Sequence, residues 1–210
     1  MPVYRHNIVS FPETKRFHFI HIPRTAGRFI GENLLVNGWK IEDKDNLWKS
    51  VEGIEVAHFH RELYEKYLDV KRIPHITIVR NPVDRFISCS IFLKRMYGDD
   101  IQEAMEDPIM FSTMLQNFPL SQAMNWFRPQ MDFITDETNI WKLEDGFGED
   151  FEEFMSEVLG VEFKVEDVPY GKLDIDETKK LEKSAKLIDN ITSLYRKDIE
   201  QLYPKLATPQ

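Results

Sequence analysis

Phe19-Ile20-His21-Ile22-Pro23-Arg24-Thr25-Ala26-Gly27-Arg28-Phe29-Ile30 is the stretch that decides how this chain folds. The aromatic and β-branched run from Phe17 to Ile22 alternates in part and predicts a strand. Pro23 to Gly27 breaks that run, and Arg28 to Val36 has the spacing of a helix. A tight polar loop between a strand and a helix points backbone N–H groups inward, where the positive end of the helix dipole favours an anion. Ala26 and Gly27 let backbone approach such a ligand closely, and Arg24 and Arg28 add fixed positive charge. The loop is not a Walker A motif, because no Gly-Lys-Ser/Thr occurs anywhere in the chain. Taken alone, these residues read equally well as a plain strand–turn–helix corner with incidental arginines.

The pattern recurs at Ile76-Thr77-Ile78-Val79-Arg80-Asn81-Pro82-Val83-Asp84-Arg85-Phe86-Ile87-Ser88. His75 to Val79 predicts a second strand, and Pro82 opens a helix to about Tyr97. Arg80 then sits at the carboxyl end of a strand, the edge at which open parallel sheets bind ligands. Ser88 lies about two turns into the following helix, so an arginine and a hydroxyl can converge on one phosphate. A helix corner with an Asp84–Arg85 pair is the bland alternative. Further strands are expected at Ile54–Ala57, 133–134 and Ile140–Leu143. Helices are expected at Arg61–Leu68, Asp99–Phe118 (in two pieces) and Glu177–Leu202. Strands alternating with helices argue for an α/β protein whose parallel sheet is covered on both faces.

Length and charge bound the rest. The 210 residues suit one domain, with 1–16 as an N-terminal extension and 205–210 as a tail. Acids number 36 and Lys plus Arg 27, a net charge of −9. That balance argues against nucleic acid or an anionic membrane as general partner. The acidity is local, since residues 136–177 hold 15 acids and 3 bases, whereas residues 1–135 hold 17 of each. Both candidate anion corners therefore lie in a stretch that is neutral overall. The acidic segment carries Phe151, Phe154, Val158 and Leu159 at helical spacing and predicts a solvated amphipathic helix. Cys89 is the single cysteine, so no disulfide can form within the chain. The first residues lack the apolar core of a signal peptide, and no run of about 18 apolar residues exists, so the expectation is a soluble cytoplasmic protein with no membrane partner.

Together the two corners resemble a known family. His21-Ile22-Pro23-Arg24-Thr25-Ala26-Gly27 is similar to the 5′-phosphosulfate loop of sulfotransferases that use 3′-phosphoadenosine 5′-phosphosulfate (PAPS), closest to the carbohydrate, heparan 2-O-like branch. Val79-Arg80-Asn81-Pro82-Val83-Asp84-Arg85-Phe86-Ile87-Ser88 is similar to that family's 3′-phosphate motif. Weaker likeness continues through Trp126, Gln130–Phe133, Trp141–Glu144 and Leu194–Tyr203. The chain departs from the family at Arg24, where a lysine is usual, and at Arg28-Phe29, where hydroxyl residues are usual. Val168–Lys172 stands where an Asn-x-Ser stretch is often found.

The resemblance implies a P-loop-NTPase-like three-layer α/β/α fold with a central parallel sheet. It implies PAPS as donor, PAP as product, no metal, and a hydroxyl acceptor that is a carbohydrate. Arg24, Thr25, Ala26, Gly27, Arg28 and Phe29 would hold the phosphosulfate, and Arg80 and Ser88 the 3′-phosphate. The family's catalytic histidine falls on Val56-Ala57-His58-Phe59-His60, with His58 first and His60 in reserve. Histidine titrates near neutrality and can take a hydroxyl proton, with Arg24 stabilising developing charge. Alternation would put His58 and His60 on one side of an extended segment. Arg61, Lys94, Arg95 and Arg128 are candidates for contacts to an anionic sugar. A non-catalytic PAP- or PAPS-binding homologue and a P-loop-type nucleotide kinase remain the competing classes.

Overall fold

Strand β1 (Val3–Asn7) runs antiparallel to β2 (Thr14–Ile20), with Val3 opposite His18 and Asn7 opposite Thr14. This is a computed structural model, and it describes residues 2–7, 14–97, 125–168 and 185–206. After β2 come helix α1 (Gly27–Val36), the short strand β3 (Lys40–Ile41), and a two-stranded hairpin of β4 (Ser50–Val51) and β5 (Ile54–Glu55). A 3₁₀ turn at Val56–His58 leads into α2 (Arg61–Tyr67). Strand β6 (His75–Val79), helix α3 (Pro82–Tyr97), strand β7 (Thr138–Lys142) and helix α4 (Glu149–Leu159) follow. Helices α5 (Ala185–Leu194) and α6 (Arg196–Leu202) close the described chain.

The main sheet has the order β3-β1-β2-β6-β7. The pairs β2–β6 and β6–β7 are parallel, whereas β1 is antiparallel to both its neighbours. The protein is therefore α/β with a mixed sheet rather than a wholly parallel one. The parallel half is the half that matters for a site, because it puts the carboxyl ends of β2 and β6 side by side.

Alternation along the strands distributes the core to both faces. Phe17, Phe19, Ile76 and Ile78 pack with Phe29, Ile30 and Leu34 of α1 and with Phe151, Met155 and Leu159 of α4. Ile20 and Val79 pack on the opposite side with Leu63 and Tyr64 of α2 and Leu202 of α6. Phe86, Cys89 and Leu93 of α3 form a third cluster with Ile191 of α5 and with Tyr195. Among the described residues, no helix is long and apolar enough to cross a membrane.

Several expectations are corrected. Within the expected extension 1–16, Val3–Asn7 is an inner strand of the sheet and Thr14–Arg16 already belong to β2. The expected strand at 54–57 ends at Glu55 and pairs only with β4, because the chain turns into the 3₁₀ helix at Val56. Phe133 and Ile134 follow the 3₁₀ turn Gln130–Asp132 as buried core residues and form no strand. The expected single helix to Leu202 breaks at Tyr195, whose buried ring anchors the break by donating its hydroxyl to Phe127 O at 2.7 Å. The expected helices over 99–118 and the start of the last helix lie outside the described residues.

Candidate functional site

Two strand–turn–helix corners adjoin at the carboxyl edge of the parallel strands. In the first, Arg24 has φ 67° and Ala26 φ 66°, both in the left-handed region that non-glycine residues rarely occupy. The left-handed turn at Ala26 delivers the chain into α1 with its first amides facing the loop. Among the described residues, the N–H groups of Thr25, Ala26, Gly27 and Arg28 donate to no acceptor. Thr25 is buried, and its hydroxyl donates to Ile22 O at 2.8 Å, which closes the turn. Gly27 is required by space, because a Cβ there would lie 2.0 Å from the imidazole of His21.

The second corner is built by capping. Asn81 Oδ1 accepts from the N–H groups of Val83 at 2.9 Å and Asp84 at 3.4 Å. Pro82 occupies the first helical position, where its missing N–H costs nothing. Gln130 pins the preceding residue from both sides: Arg80 N donates to Gln130 Oε1 at 2.9 Å, and Gln130 Nε2 donates to Arg80 O at 2.8 Å. Gln130 is itself held by Asp198, whose carboxylate accepts from Gln130 N at 2.8 Å and Met131 N at 3.0 Å.

The corners are joined through Arg24. Its Nε donates to Ser88 Oγ at 3.0 Å, and its guanidinium lies 5.1 Å from the centre of the Phe92 ring. Arg80 Nη1 donates to Arg24 O at 3.4 Å. So Arg24, Arg80 and Ser88 do come together, and Arg24 is the hinge between the other two. Burial, then the neighbouring guanidiniums of Arg80, Arg95 and Arg28, lowers the pKa of Arg24 from its ordinary value. Among the described residues, no carboxylate is ion-paired with Arg24 or Arg80. Uncompensated cations and open amides together favour a multiply charged anion. Arg28 is exposed at the mouth, whereas Phe29 is a core residue 4.9 Å from Phe147, so only its backbone can serve a ligand.

His58 lies next to the first corner. Its Nδ1 is 3.4 Å from His21 O, and the two imidazoles are 4.5 Å apart. With Nδ1 as the donor to that carbonyl, Nε2 carries the lone pair and lies 3.8 Å from Glu55 Oε2. Burial lowers the His58 pKa to about 4, so the ring is neutral at pH 7. Burial also raises the pKa of Glu55. His60 does not share this position. It stands at the start of α2, and burial and then Arg128 lower its pKa. His58 ends the 3₁₀ turn and His60 opens α2, and their rings meet different neighbours: His21 and Glu55 for His58, Arg128 for His60.

Glu55, Gln130, Asp198 and Trp48, whose ring centre is 6.2 Å from that of His58, were not singled out from the sequence as site residues. Among the described residues, no group of three or more His, Cys, Asp or Glu could hold a metal ion. No family model matches the chain, and no curated protein or solved structure matches it significantly.

Proposed function

We propose that this chain is a PAPS-dependent sulfotransferase that transfers a sulfuryl group to a hydroxyl, with a carbohydrate as acceptor. The observation that carries the reading is the meeting of Arg24, Arg80 and Ser88 with the open amides of Thr25 to Arg28. That donor set contains cations, amides and a hydroxyl but no paired carboxylate, which suits a ligand with two separated anionic groups. In this reading Arg80 and Ser88 hold the 3′-phosphate. Arg24, Arg28 and the backbone of Thr25 to Phe29 hold the 5′-phosphosulfate. PAPS supplies the sulfuryl group: the acceptor oxygen bonds to sulfur, the sulfur–oxygen bond to the 5′-phosphate breaks, and its electron pair leaves on PAP. His58 Nε2 takes the acceptor's proton, and the His21 carbonyl holds the ring in the tautomer that can do so. Arg24 and the loop amides stabilise negative charge on the leaving phosphate. The matching architecture is a P-loop-NTPase-like three-layer α/β/α fold, and the matching setting is a soluble, cytoplasmic one.

The exposure of Arg28 and the closure of Arg24 on Ser88 favour, as second reading, a PAP-binding homologue without transfer. Thermal shift with PAP, AMP and ATP, each with and without magnesium, tests the class. The expected result is magnesium-independent stabilisation by PAP well above that by AMP or ATP. At a PAP concentration 100 times Kd the linkage amounts to about 2.7 kcal/mol. Stabilisation by ATP that exceeds PAP and needs magnesium would replace this reading with a nucleotide kinase. Retained PAP binding with no sulfuryl transfer to any hydroxyl would leave the binding homologue.

A further inference from the structure

Trp48 is 62% exposed, the most exposed of the large apolar residues among those described. Its position is not that of a loose surface side chain. Leu47 O accepts from Ala57 N at 2.8 Å, and Lys49 O accepts from Val56 N at 3.0 Å. The residues on either side of Trp48 are thus bonded to the two residues that immediately precede His58. Lys49 N also donates to Asn46 O at 3.0 Å, closing the turn that presents the indole. The Trp48 ring ends 6.2 Å from the His58 ring, edge to face at 65°. The buried sides of His58 are taken by His21 at 4.5 Å and Trp126 at 5.6 Å. An exposed indole, on backbone bonded to the residues that precede His58, thus borders the proposed proton acceptor.

We propose that Trp48 is the platform for the acceptor, and that the acceptor is a sugar ring lying on the indole with two neighbouring hydroxyls directed at His58 Nε2 and the Glu55 carboxylate. The inference rests on the sulfotransferase reading with its carbohydrate acceptor, and adds the residue that seats the sugar and the pair of atoms that receives its hydroxyls. Two features select a sugar over a flat aromatic alcohol. An indole face is electron-rich and attracts the polarised C–H groups on the apolar face of a pyranose. The two acceptor atoms, 3.8 Å apart, match a pair of adjacent hydroxyls, whereas a phenol offers one hydroxyl only. Glu55 is a positioning residue here, and the proton goes to His58.

The test measures binding, so it does not depend on turnover. Saturation-transfer NMR and indole fluorescence are recorded with PAP present, using a cellohexaose, a hyaluronan hexasaccharide and 2-naphthol as probes. Wild type is expected to bind at least one of the two hexasaccharides in preference to 2-naphthol. W48A is expected to weaken that binding at least tenfold, while W48F keeps most of it. PAP affinity by calorimetry and melting temperature are expected to stay at wild-type values in both variants. Equal sugar binding by W48A and wild type overturns the platform. Preference for 2-naphthol, or binding of neither hexasaccharide, overturns the sugar assignment. Failure of wild type to bind PAP at all overturns instead the reading on which the proposal rests.

Discussion

Gly27 is the residue whose identity the geometry constrains most tightly. Added carbon would lie 2.0 Å from both Cδ2 and Nε2 of His21 and 2.8 Å from its Cγ. The whole imidazole would have to move, and it is wedged between Phe19 at 6.0 Å and His58 at 4.5 Å. Gly27→Ala is expected to destabilise by roughly 1–3 kcal/mol, the usual cost of overpacking. In a His21→Ala background the same substitution should cost distinctly less, because its clash partner is gone. Urea denaturation of the four proteins measures the coupling, and equal costs in both backgrounds would show that the contact is not the cause. His58→Ala touches chemistry instead. Turnover should fall about 10²–10⁴-fold, the range for a lost general base, with PAP affinity unchanged by calorimetry. Near-wild-type turnover would remove His58 from the mechanism. Arg24, Gly27, Arg80 and Ser88 were readable in the sequence because cations, small residues and hydroxyls at strand ends carry their own chemical sign. Gln130 was not, because a neutral amide that pins Arg80 from 50 residues away leaves no local pattern.

At the scale of elements, the site depends on how the β6–α3 turn is braced. Asp198 on α6 is fully buried and satisfies two backbone donors, Gln130 N and Met131 N. Burial raises its pKa, and the two amides oppose that rise. Arg85 on α3 braces the same stretch from the other side, donating to Trp126 O at 3.0 Å and Arg128 O at 2.6 Å. Asp198→Ala should cost roughly 2–6 kcal/mol, since each of the two buried donors left unpaired costs about 1–3. It should also weaken PAP binding, because releasing Gln130 releases the backbone of Arg80. Asp198→Asn keeps one acceptor oxygen and should lose less of both. Urea denaturation and calorimetry read the two effects, and a loss under about 1 kcal/mol in Asp198→Ala would show that water replaces the carboxylate. The strands β2 and β6 and the helices α1, α3 and α4 were visible from periodicity and punctuation. Strand β1 was not, because Val3-Tyr4-Arg5-His6-Asn7 contains a single deeply buried apolar side chain, Tyr4. Its place comes from backbone pairing to both neighbours and from Tyr4 stacking on Phe17 at 5.3 Å. Such pairing has no signature within five residues of polar, non-alternating sequence. The break at Tyr195 was hidden for the same kind of reason, since its cause, the Phe127 carbonyl, is 68 residues distant.

Across the whole molecule, buried histidines set how stability responds to acid. His18 is fully buried between Tyr64 at 4.9 Å and His75 at 5.0 Å, and neither of its ring nitrogens has a hydrogen-bond partner. Burial holds His18 and His21 well below the ordinary histidine value, and holds His58 at about 4. In the unfolded chain these rings titrate near 6.5. Between pH 6.5 and about 4 the unfolded chain therefore binds protons at His58 that the folded protein refuses. Stability rises with pH wherever the unfolded state holds more protons, so stability falls as pH drops through that window and is complete above it. The interval from 6.5 to about 4 corresponds to about 3 kcal/mol for His58 alone, and this ring is only 5% exposed, so solvent screening removes little. His18 and His21 act in the same direction. Unfolding free energies from urea titrations at pH 7.5, 6.5, 5.5 and 4.5 should drop steeply over the lower three values. His58→Gln removes one titrating ring while keeping a polar side chain. Its stability should fall less over the same range, so the gap between wild type and variant narrows as pH falls. Parallel pH profiles for the two proteins would show that His58 does not contribute, and would move the acid sensitivity to His18 and His21.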